Sequence, residues 1–238
     1  MSASPKTFVL LHGAWHGAWC WKKVAPLLRA AGHEVYTPTQ TGLGERSHLL
    51  NASINLQTFA QDLVNVLTYN DLNNVVLVGH SFGGNAITAA AHRVPERIAH
   101  MVYLDALIPV SGKSVFSLLP PHAVQSRRDL AQKTSGGLTI PAPGADKLGV
   151  FDPVDAAWVE KYCTAHPIAT YEDAIEFTGD PDNGLPTTYI AVTPHYAPTA
   201  QSRAYAQSRQ DWRYLEIEAG HDAMVTSPKA LAQMLLDL

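Results

Sequence analysis

The 238-residue sequence has few of the residues that form disulfides or bind metals. It contains two cysteines, Cys20 in a tryptophan-rich segment and Cys163 far downstream. Disulfide scaffolds carry several cysteines, and structural zinc sites need Cys or His ligands at short, regular spacing. The sequence therefore argues against a disulfide framework, predicts neither a metal ion nor another cofactor, and favours the reducing cytoplasm.

Charge and long apolar runs are scarce as well. Charged residues make up 16% of the chain and the formal net charge is -4, which excludes the basic footprint of a nucleic-acid-binding protein. The apolar run in the N-terminal stretch MSASPKTFVLLHG ends at His12, too early for a signal peptide or a membrane span. We expect a protein that binds a small, uncharged or weakly charged molecule, with no nucleic-acid or membrane partner.

Short β-rich runs alternate with helical patterns along both ends of the chain. Because parallel strands need crossover connections, this alternation predicts an α/β protein with a mostly parallel sheet and helices on both faces. At this length we expect a single domain over 1–238. The predicted strands are Thr7–Leu11, His33–Thr37, Val75–Val78, Ile98–Leu104, Thr187–Val192 and Trp212–Ile217, and the predicted helices are Trp19–Ala31, Ser53–Tyr69, Asn85–Arg93, Thr199–Gln207 and Ser227–Leu236.

The alternation stops between about 108 and 186. This stretch is rich in proline and glycine, with one helical pattern around Val154–Ala165. We interpret it as a cap inserted over the sheet. The apolar side chains that this cap carries include Phe116, Leu118, Leu119, Phe151 and Trp158.

Residues 77–84 read LVGHSFGG and lie between a predicted strand and a predicted helix. A nucleophile elbow is a sharp strand-to-helix turn that exposes a serine hydroxyl, and it requires small residues on either side, here Gly79 and Gly83. The alternatives are a chance pattern or a serine that only caps the helix. The context favours Ser81 as a nucleophile.

A serine nucleophile needs a base within hydrogen-bond reach. His221 follows the last predicted strand and precedes the final helix, which is where this chain order places the base. His195 is also in a late loop and stays a competitor. His80, beside the serine, is more suited to shaping the elbow or the pocket.

Acyl transfer also needs two backbone N–H donors for the developing oxyanion. Phe82 directly follows the serine and supplies one candidate, and Ala14, in the loop after the first strand, supplies the other. The loop can equally be a packing cluster of Trp15, Trp19 and Trp21, and both interpretations are compatible.

Three segments, LLHGAWHGAWCWKKVAPLLRAAGHEV, VGHSFGG and GHDAMVTSP, resemble the α/β-hydrolase superfamily, in particular its plant methylesterase and hydroxynitrile-lyase branch and similar bacterial esterases. The resemblance implies an α/β-hydrolase fold with Ser81 and His221 as catalytic residues. It also implies an oxyanion hole made by Ala14 and Phe82.

The chain departs from the family at the catalytic acid. The family usually places this carboxylate after the strand before the last, yet 187–208 contain no Asp or Glu here. Asp105, at the end of the strand that follows the elbow helix, is our first candidate, because some lipases of the superfamily supply the acid there. Asp222 and Glu218 follow, and Asp105 has the alternative role of a strand-end cap.

A second departure separates ester hydrolysis from cyanohydrin cleavage. Hydroxynitrile lyases of the family use a threonine in the first loop and a lysine near the catalytic histidine, whereas this chain has Gly13 and, after His221, no lysine before Lys229. We therefore predict a serine carboxylesterase for hydrophobic aryl, alkyl or pyrethroid-like esters. The alternatives are a lactonase, a hydroxynitrile-lyase-like enzyme or a non-catalytic binder.

The predicted partner is a small-molecule ester, and a homodimer is one expected assembly. The candidate pocket residues are Trp15, His80, Phe116, Leu119 and Trp158.

Overall fold

The structure is a computed structural model that describes residues 5–238. Residues 1–4 begin the segment that is predicted to be too short for a signal peptide, and they lie outside the described residues. No helix within 5–238 is long and apolar enough to cross a membrane.

Six parallel strands form the main sheet in the order β2-β1-β3-β4-β7-β8. Two further strands, β5 and β6, pair antiparallel outside it. The strands are β1 (Thr7–Leu11), β2 (Glu34–Tyr36), β3 (Val75–His80), β4 (Ile98–Leu104), β5 (Thr139–Ile140), β6 (His166–Pro167), β7 (Thr187–Thr193) and β8 (Arg213–Glu218).

Helices cover both faces of this sheet. On β3, Val76 and Val78 contribute to a core with α1 and α9, while Val75 and Leu77 contribute to a second core with α2 and α3. Burial on both faces explains why the strand is apolar without alternation. The helices are α1 (Ala25–Ala30), α2 (Leu56–Tyr69), α3 (Gly83–Arg93), α4 (Pro121–Ser135), α5 (Pro153–Tyr162), α6 (Ala169–Glu172), α7 (Ala200–Ser208), α8 (Ala223–Thr226) and α9 (Pro228–Leu236).

Two predicted helix starts differ from the structure. Over Trp19–Ala31 a 3-10 helix covers Ala18–Lys23, and α1 begins only at Ala25. Pro26 lies in the first turn of α1, where a missing N–H costs no hydrogen bond, so it favours a new helix start. Helix α2 begins at Leu56 rather than Ser53, because Asn55 caps it by accepting from the Thr58 N–H at 3.1 Å.

The last helix begins where the sequence predicts. Ser227 occupies the N-cap position of α9, but its side chain makes no cap hydrogen bond. Its hydroxyl donates instead to the Glu218 carbonyl at 2.8 Å. The serine therefore connects the start of the final helix to the end of β8.

The segment between β4 and β7 contributes no strand to the six-stranded sheet. It contains α4, α5, α6 and the small antiparallel pair of β5 and β6. Helix α5 corresponds to the predicted pattern around Val154–Ala165, whereas the prediction missed α4. Only Ala131 of α4 is buried, so the helix lacks the apolar periodicity that would reveal it.

Candidate active site

The turn between β3 and α3 holds Ser81 in a left-handed backbone conformation with φ of 52°. Such a conformation is strained for a residue with a side chain and is often found at functional sites. A Cβ at Gly79 would lie 2.9 Å from Ile87 Cδ1, and a Cβ at Gly83 would lie 2.7 Å from the His12 carbonyl oxygen. The tight turn therefore needs both glycines, and it leaves Ser81 half-buried rather than enclosed.

Ser81, His221 and Asp105 form one continuous chain of hydrogen bonds. The Ser81 hydroxyl lies 2.9 Å from His221 Nε2, and His221 Nδ1 lies 2.6 Å from Asp105 Oδ2. Because a carboxylate only accepts, Nδ1 carries the proton and Nε2 is free to accept from the serine. This tautomer is the one that a general base requires.

Asp105 is fully buried at the first position after β4, with φ of 39°. Its N–H donates to the Ile190 carbonyl at 2.7 Å, which fixes the turn against β7. The Thr199 hydroxyl lies 2.9 Å from Asp105 Oδ1. Oδ1 therefore accepts a hydrogen bond from Thr199 while Oδ2 accepts one from His221.

The loop after β7, where the family usually carries the acid, contributes two side chains that the sequence analysis missed. Tyr196 stacks on the His221 ring with centroids 3.8 Å apart and an interplanar angle of 18°. Thr199 hydrogen-bonds to Asp105. The sequence signal for these two contacts was weak: the loop contains an aromatic residue and a hydroxyl but no acid.

The competing acids and bases lie elsewhere. Asp222 Oδ2 accepts from His16 Nε2 at 2.9 Å rather than from the ring of its neighbour His221. Glu218 is exposed at the end of β8. His195 Nε2 lies 3.8 Å from Glu216 on the partly exposed side of the sheet edge.

The loop after β1 approaches the elbow closely. A Cβ at Gly13 would lie 2.7 Å from Ser81 Cβ, so the next residue, Ala14, is beside the serine. Within residues 5–238 the Ala14 and Phe82 amides donate to no backbone or side-chain acceptor. Both residues are buried. Because no protein acceptor within residues 5–238 binds these two N–H groups, they can donate to an oxyanion.

His80 lies fully buried behind His221. Its Nε2–H donates to the His221 carbonyl at 2.9 Å, and the two rings are 4.7 Å apart. Burial and the neighbouring His221 hold the pKa of His80 well below its ordinary value. His80 therefore stays neutral and supports the histidine-bearing loop from below.

The predicted pocket residues separate into two groups. Phe116 and Leu119 pack in the same apolar cluster as Ala14 and Phe82. Trp15 also contacts this cluster, and its indole N–H donates to the Ile140 carbonyl at 3.2 Å. The structure does not bring Trp158 to this group.

Trp158 packs against Trp19, with centroids 5.3 Å apart, and beneath the Lys23 ammonium. This places it on the side of α5 that faces the 3-10 helix of the first loop. Phe151, another apolar residue of the same region, is 77% exposed. An exposed ring and a ring packed elsewhere do not line the space beside Ser81.

Two neighbouring hollows lie beside the elbow. A small cavity of about 60 Å³ is lined by Leu107, Val115 and Leu119, and the Leu107 N–H donates to the Ser81 carbonyl. A cavity of about 310 Å³ shares Ile108 and Ser202 with it. Both linings are mostly apolar but include Lys113 in the smaller cavity and Asp180 in the larger one, and Ser81 lines neither of them.

Among residues 5–238, one group of side chains has metal-ligand spacing: His80, His221 and Asp222, with ligand atoms within 4.8 Å of one another. Both His221 nitrogens are already bonded, to Ser81 and Asp105. A metal here would displace the hydrogen bonds of the site, so the group does not fit a resident ion.

A family model described as the alpha/beta hydrolase family matches residues 8–234. Carbendazim hydrolyzing esterase of Nocardioides sp. (strain SG-4G) is 36% identical over 240 residues, which cover 97% of this chain and 98% of that protein. Methylesterase 1 of Arabidopsis thaliana is 42% identical over 146 residues, 60% of this chain and 54% of that protein.

One solved structure is similar over almost the whole chain. It is described as an extracellular alpha/beta-hydrolase from a Paenibacillus species with structural and functional homology to tobacco salicylic acid binding protein 2. It is 28% identical, covers 98% of each chain and has a TM-score of 0.83.

Proposed function

The chain belongs to the alpha/beta hydrolase family, and we propose that it is a serine carboxylesterase that hydrolyses hydrophobic esters through an acyl-enzyme. One observation carries the proposal: the contacts of 2.9 Å from Ser81 to His221 and 2.6 Å from His221 to Asp105. This is the nucleophile, base and acid arrangement of acyl transfer.

In the first half-reaction, His221 Nε2 takes the Ser81 proton as Oγ bonds to the ester carbonyl carbon. The carbonyl π electrons move to the oxygen, and the N–H groups of Ala14 and Phe82 bind this oxyanion. The C–O bond to the alcohol then breaks, and the alcohol leaves with the proton from His221. Asp105 stabilises the imidazolium in between.

In the second half-reaction, water replaces the alcohol. His221 takes one proton from this water, whose oxygen attacks the acyl carbon. The bond to Ser81 Oγ breaks, the serine regains a proton from His221, and the carboxylic acid leaves. The two steps require the same groups in the same places.

The mostly apolar linings of the two cavities near the elbow support a hydrophobic substrate. Leu107, Val115 and Leu119 supply apolar surface in the smaller cavity, which Lys113 also lines. The similarity to a protein named as a carbendazim hydrolyzing esterase and to one named as a methylesterase supports an ester substrate. We propose aryl and alkyl esters as the substrate class.

Two observations favour the esterase over two of the alternatives. The non-catalytic binder depended on a missing acid, whereas Asp105 lies 2.6 Å from His221. The lyase needs a larger residue at Gly13, where a Cβ would lie 2.7 Å from Ser81 Cβ and 2.9 Å from His80 Nδ1.

Ser81→Ala tests the function directly. We expect the variant to lose turnover of p-nitrophenyl esters and covalent labelling by a fluorophosphonate, measured by intact-mass spectrometry, while its circular dichroism stays unchanged. Ser208→Ala is the matched control, because the Ser208 hydroxyl is on the surface and donates to the nearby Tyr205 carbonyl at 2.7 Å. Ester turnover that survives in Ser81→Ala would refute the mechanism.

The cap over about 108–186, the homodimer and the cytoplasmic location stay predictions. Light scattering measures the assembly, and fractionation of the native host measures the location. The Paenibacillus relative is described as extracellular, so its location differs from the one predicted here.

A further inference from the structure

His16 lies in the loop after β1 and is 1% exposed. Its Nδ1–H donates to the Ala14 carbonyl at 2.7 Å, and its Nε2–H donates to Asp222 Oδ2 at 2.9 Å. Because a neutral imidazole carries one N–H, two acceptors require the protonated ring. His16 and Asp222 are therefore a buried imidazolium–carboxylate pair.

The electrostatics of the pair agree with its geometry. Burial alone would lower the pKa of His16, but the charge and the hydrogen bond of Asp222 raise it above its ordinary value. Burial would likewise raise the pKa of Asp222, but the charge and hydrogen bond of His16 lower it. Each group keeps the other ionised.

The pair connects two parts of the site that are far apart in sequence. Ala14, whose carbonyl His16 binds, offers the N–H proposed for the oxyanion. Asp222, which holds His16, directly follows the proposed base His221. The chain of contacts therefore runs from the loop after β1, which carries Ala14, to the loop after β8, which carries His221.

We propose that the His16–Asp222 pair is a positioning device that fixes the Ala14 amide relative to His221. The role rests on the proposed esterase function. A shift of one ångström in an oxyanion donor is enough to slow acyl transfer strongly, because the donor must point to where charge develops.

Two neutral histidines hold the rest of the loop. His12 Nδ1–H donates to the Gly13 carbonyl at 2.8 Å, and the Trp15 N–H donates to His166 Nδ1 at 3.3 Å. These bonds are longer than the 2.7 Å bond of His16, and hydrogen bonds to a charged donor are about twice as strong as neutral ones. The bond from charged His16 is thus the strongest of these three side-chain contacts to the loop after β1.

Stability alone does not account for such a pair. The cost of removing two charges from water commonly exceeds their attraction, so apolar residues of the same size would stabilise the fold equally well. Asp222 Oδ1 has no hydrogen-bond partner within residues 5–238, which adds to this cost. Defined geometry between two loops is what the pair provides instead.

Two substitutions of His16 separate its two bonds. In His16→Asn the side-chain amide nitrogen takes the place of Nδ1, so the Ala14 bond is kept and the Asp222 bond is lost. In His16→Gln the amide nitrogen takes the place of Nε2, with the opposite result. If the link between the loops is required, both variants lose activity.

The test compares an ester, a trifluoromethyl ketone and the matching methyl ketone. The trifluoromethyl ketone accepts a bond from Ser81 Oγ at its carbonyl carbon, its oxygen becomes an oxyanion, and His221 takes the serine proton. The methyl ketone binds without this charge. Affinity for the first inhibitor therefore reports the oxyanion site, and affinity for the second reports ground-state binding.

We expect both variants to lose about 10–100-fold in kcat and in trifluoromethyl ketone affinity, with KM and methyl ketone affinity within threefold of the parent. His100→Gln is the control, since His100 bonds to Thr188 in the sheet, away from the site. It should leave kcat, KM and both ketone affinities as in the parent. Melting temperatures verify folding, and if one His16 variant does not fold, the other decides the test alone.

Full activity in either His16 variant, or equal weakening of both ketones, would overturn the positioning role. A parent enzyme that turns over no ester and forms no adduct with the trifluoromethyl ketone would instead overturn the proposed function, and this inference with it. Whether the parent enzyme forms the trifluoromethyl ketone adduct therefore distinguishes failure of the positioning role from failure of the proposed function.

Discussion

Two buried histidine–carboxylate pairs lie next to each other in the molecule, and they differ in the partner of the second imidazole nitrogen. In the pair of His221 and Asp105 this nitrogen meets the Ser81 hydroxyl, which is a donor. In the pair of His16 and Asp222 it meets the Ala14 carbonyl, which is an acceptor. The donor leaves His221 neutral and able to accept a proton, while the acceptor requires His16 to be charged already.

The comparison teaches that a buried Asp–His contact by itself does not identify a catalytic base. Both contacts are short, 2.6 and 2.9 Å, and both carboxylates are fully buried. Only the pair with a hydroxyl on its outer nitrogen can cycle a proton. The other pair is a fixed charge arrangement.

The largest expected contrast comes from removing each carboxylate charge. Asp105→Asn should lower kcat by roughly 10⁴, because an amide holds His221 in the wrong tautomer. Asp222→Asn should lower it far less but destabilise the fold by about 3–5 kcal/mol, since a buried partner is left uncompensated. Steady-state kinetics and urea unfolding of both variants measure the two effects.

Equal losses of kcat in the two variants would contradict the division of roles. If Asp105→Asn lowers kcat by less than about tenfold, Asp105 is not the catalytic acid that orients His221.

A smaller effect should follow from Thr199→Val. The Thr199 hydroxyl lies 2.9 Å from Asp105 Oδ1, and a buried hydrogen bond to a charged group contributes about 1.5–3 kcal/mol. We expect kcat to fall about tenfold, because the carboxylate loses its fixed orientation towards His221. Thr188→Val, the same change on a strand, is the control, and equal kinetics of the two variants would refute this role.

The smallest effect concerns charge and pH. Burial lowers the pKa of His12 to about 3 and lowers the pKa of His166 well below 6.5. Their unfolded forms take up protons below about pH 6.5 while the folded forms do not. The contribution of these two neutral histidines to the free energy of unfolding is therefore complete above pH 6.5. For each histidine it falls by about 1.4 kcal/mol per pH unit as the pH falls towards the pKa of the folded state.

His16 has the opposite sign, because its raised pKa gives stability that is complete below pH 6.5 and is lost as the pH rises through the folded value. Urea unfolding at pH 7, 6 and 5 should show a shallower acid decline in His166→Gln than in the parent. Identical slopes would mean that His166 takes up its proton equally in the folded and unfolded states.

The matched family model and the relatives confirm the fold class and the resemblance to the plant methylesterase branch that the sequence predicts. The elbow was predictable because its requirements are local: a strand, two glycines and a helix determine the Ser81 turn. His221 was predictable from chain order. These signals need no knowledge of distant contacts.

The catalytic acid was harder to predict, because its partner His221 lies in the loop after a different strand, β8. The sequence ranked Asp105 above Asp222 from its strand-end position, and the structure brings Asp105 to His221 while His16 occupies Asp222. Which carboxylate acts in catalysis stays a prediction. The roles of Tyr196 and Thr199 were out of reach, since stacking and hydroxyl contacts depend on a loop conformation without a pattern.

The segment between β4 and β7 was the least predictable. Helix α4 buries only Ala131, so no periodic apolar face marks it. Trp158 packs against Trp19 although its apolar character alone suggested a pocket wall. Large apolar side chains indicate burial, but they do not indicate the surface against which they are buried.

The backbone bonds around the elbow have a consequence for the order in which the site assembles. The Ser81 N–H donates to the Leu104 carbonyl at 3.2 Å and the Leu107 N–H donates to the Ser81 carbonyl at 2.9 Å, on either side of Asp105. Serine and acid thus belong to one β3–α3–β4 unit of short sequence separation, and closing a short loop costs less entropy than closing a long one. His221 comes from the far end of the chain, so we expect the docking of the C-terminal loop to be the last event of refolding that creates activity.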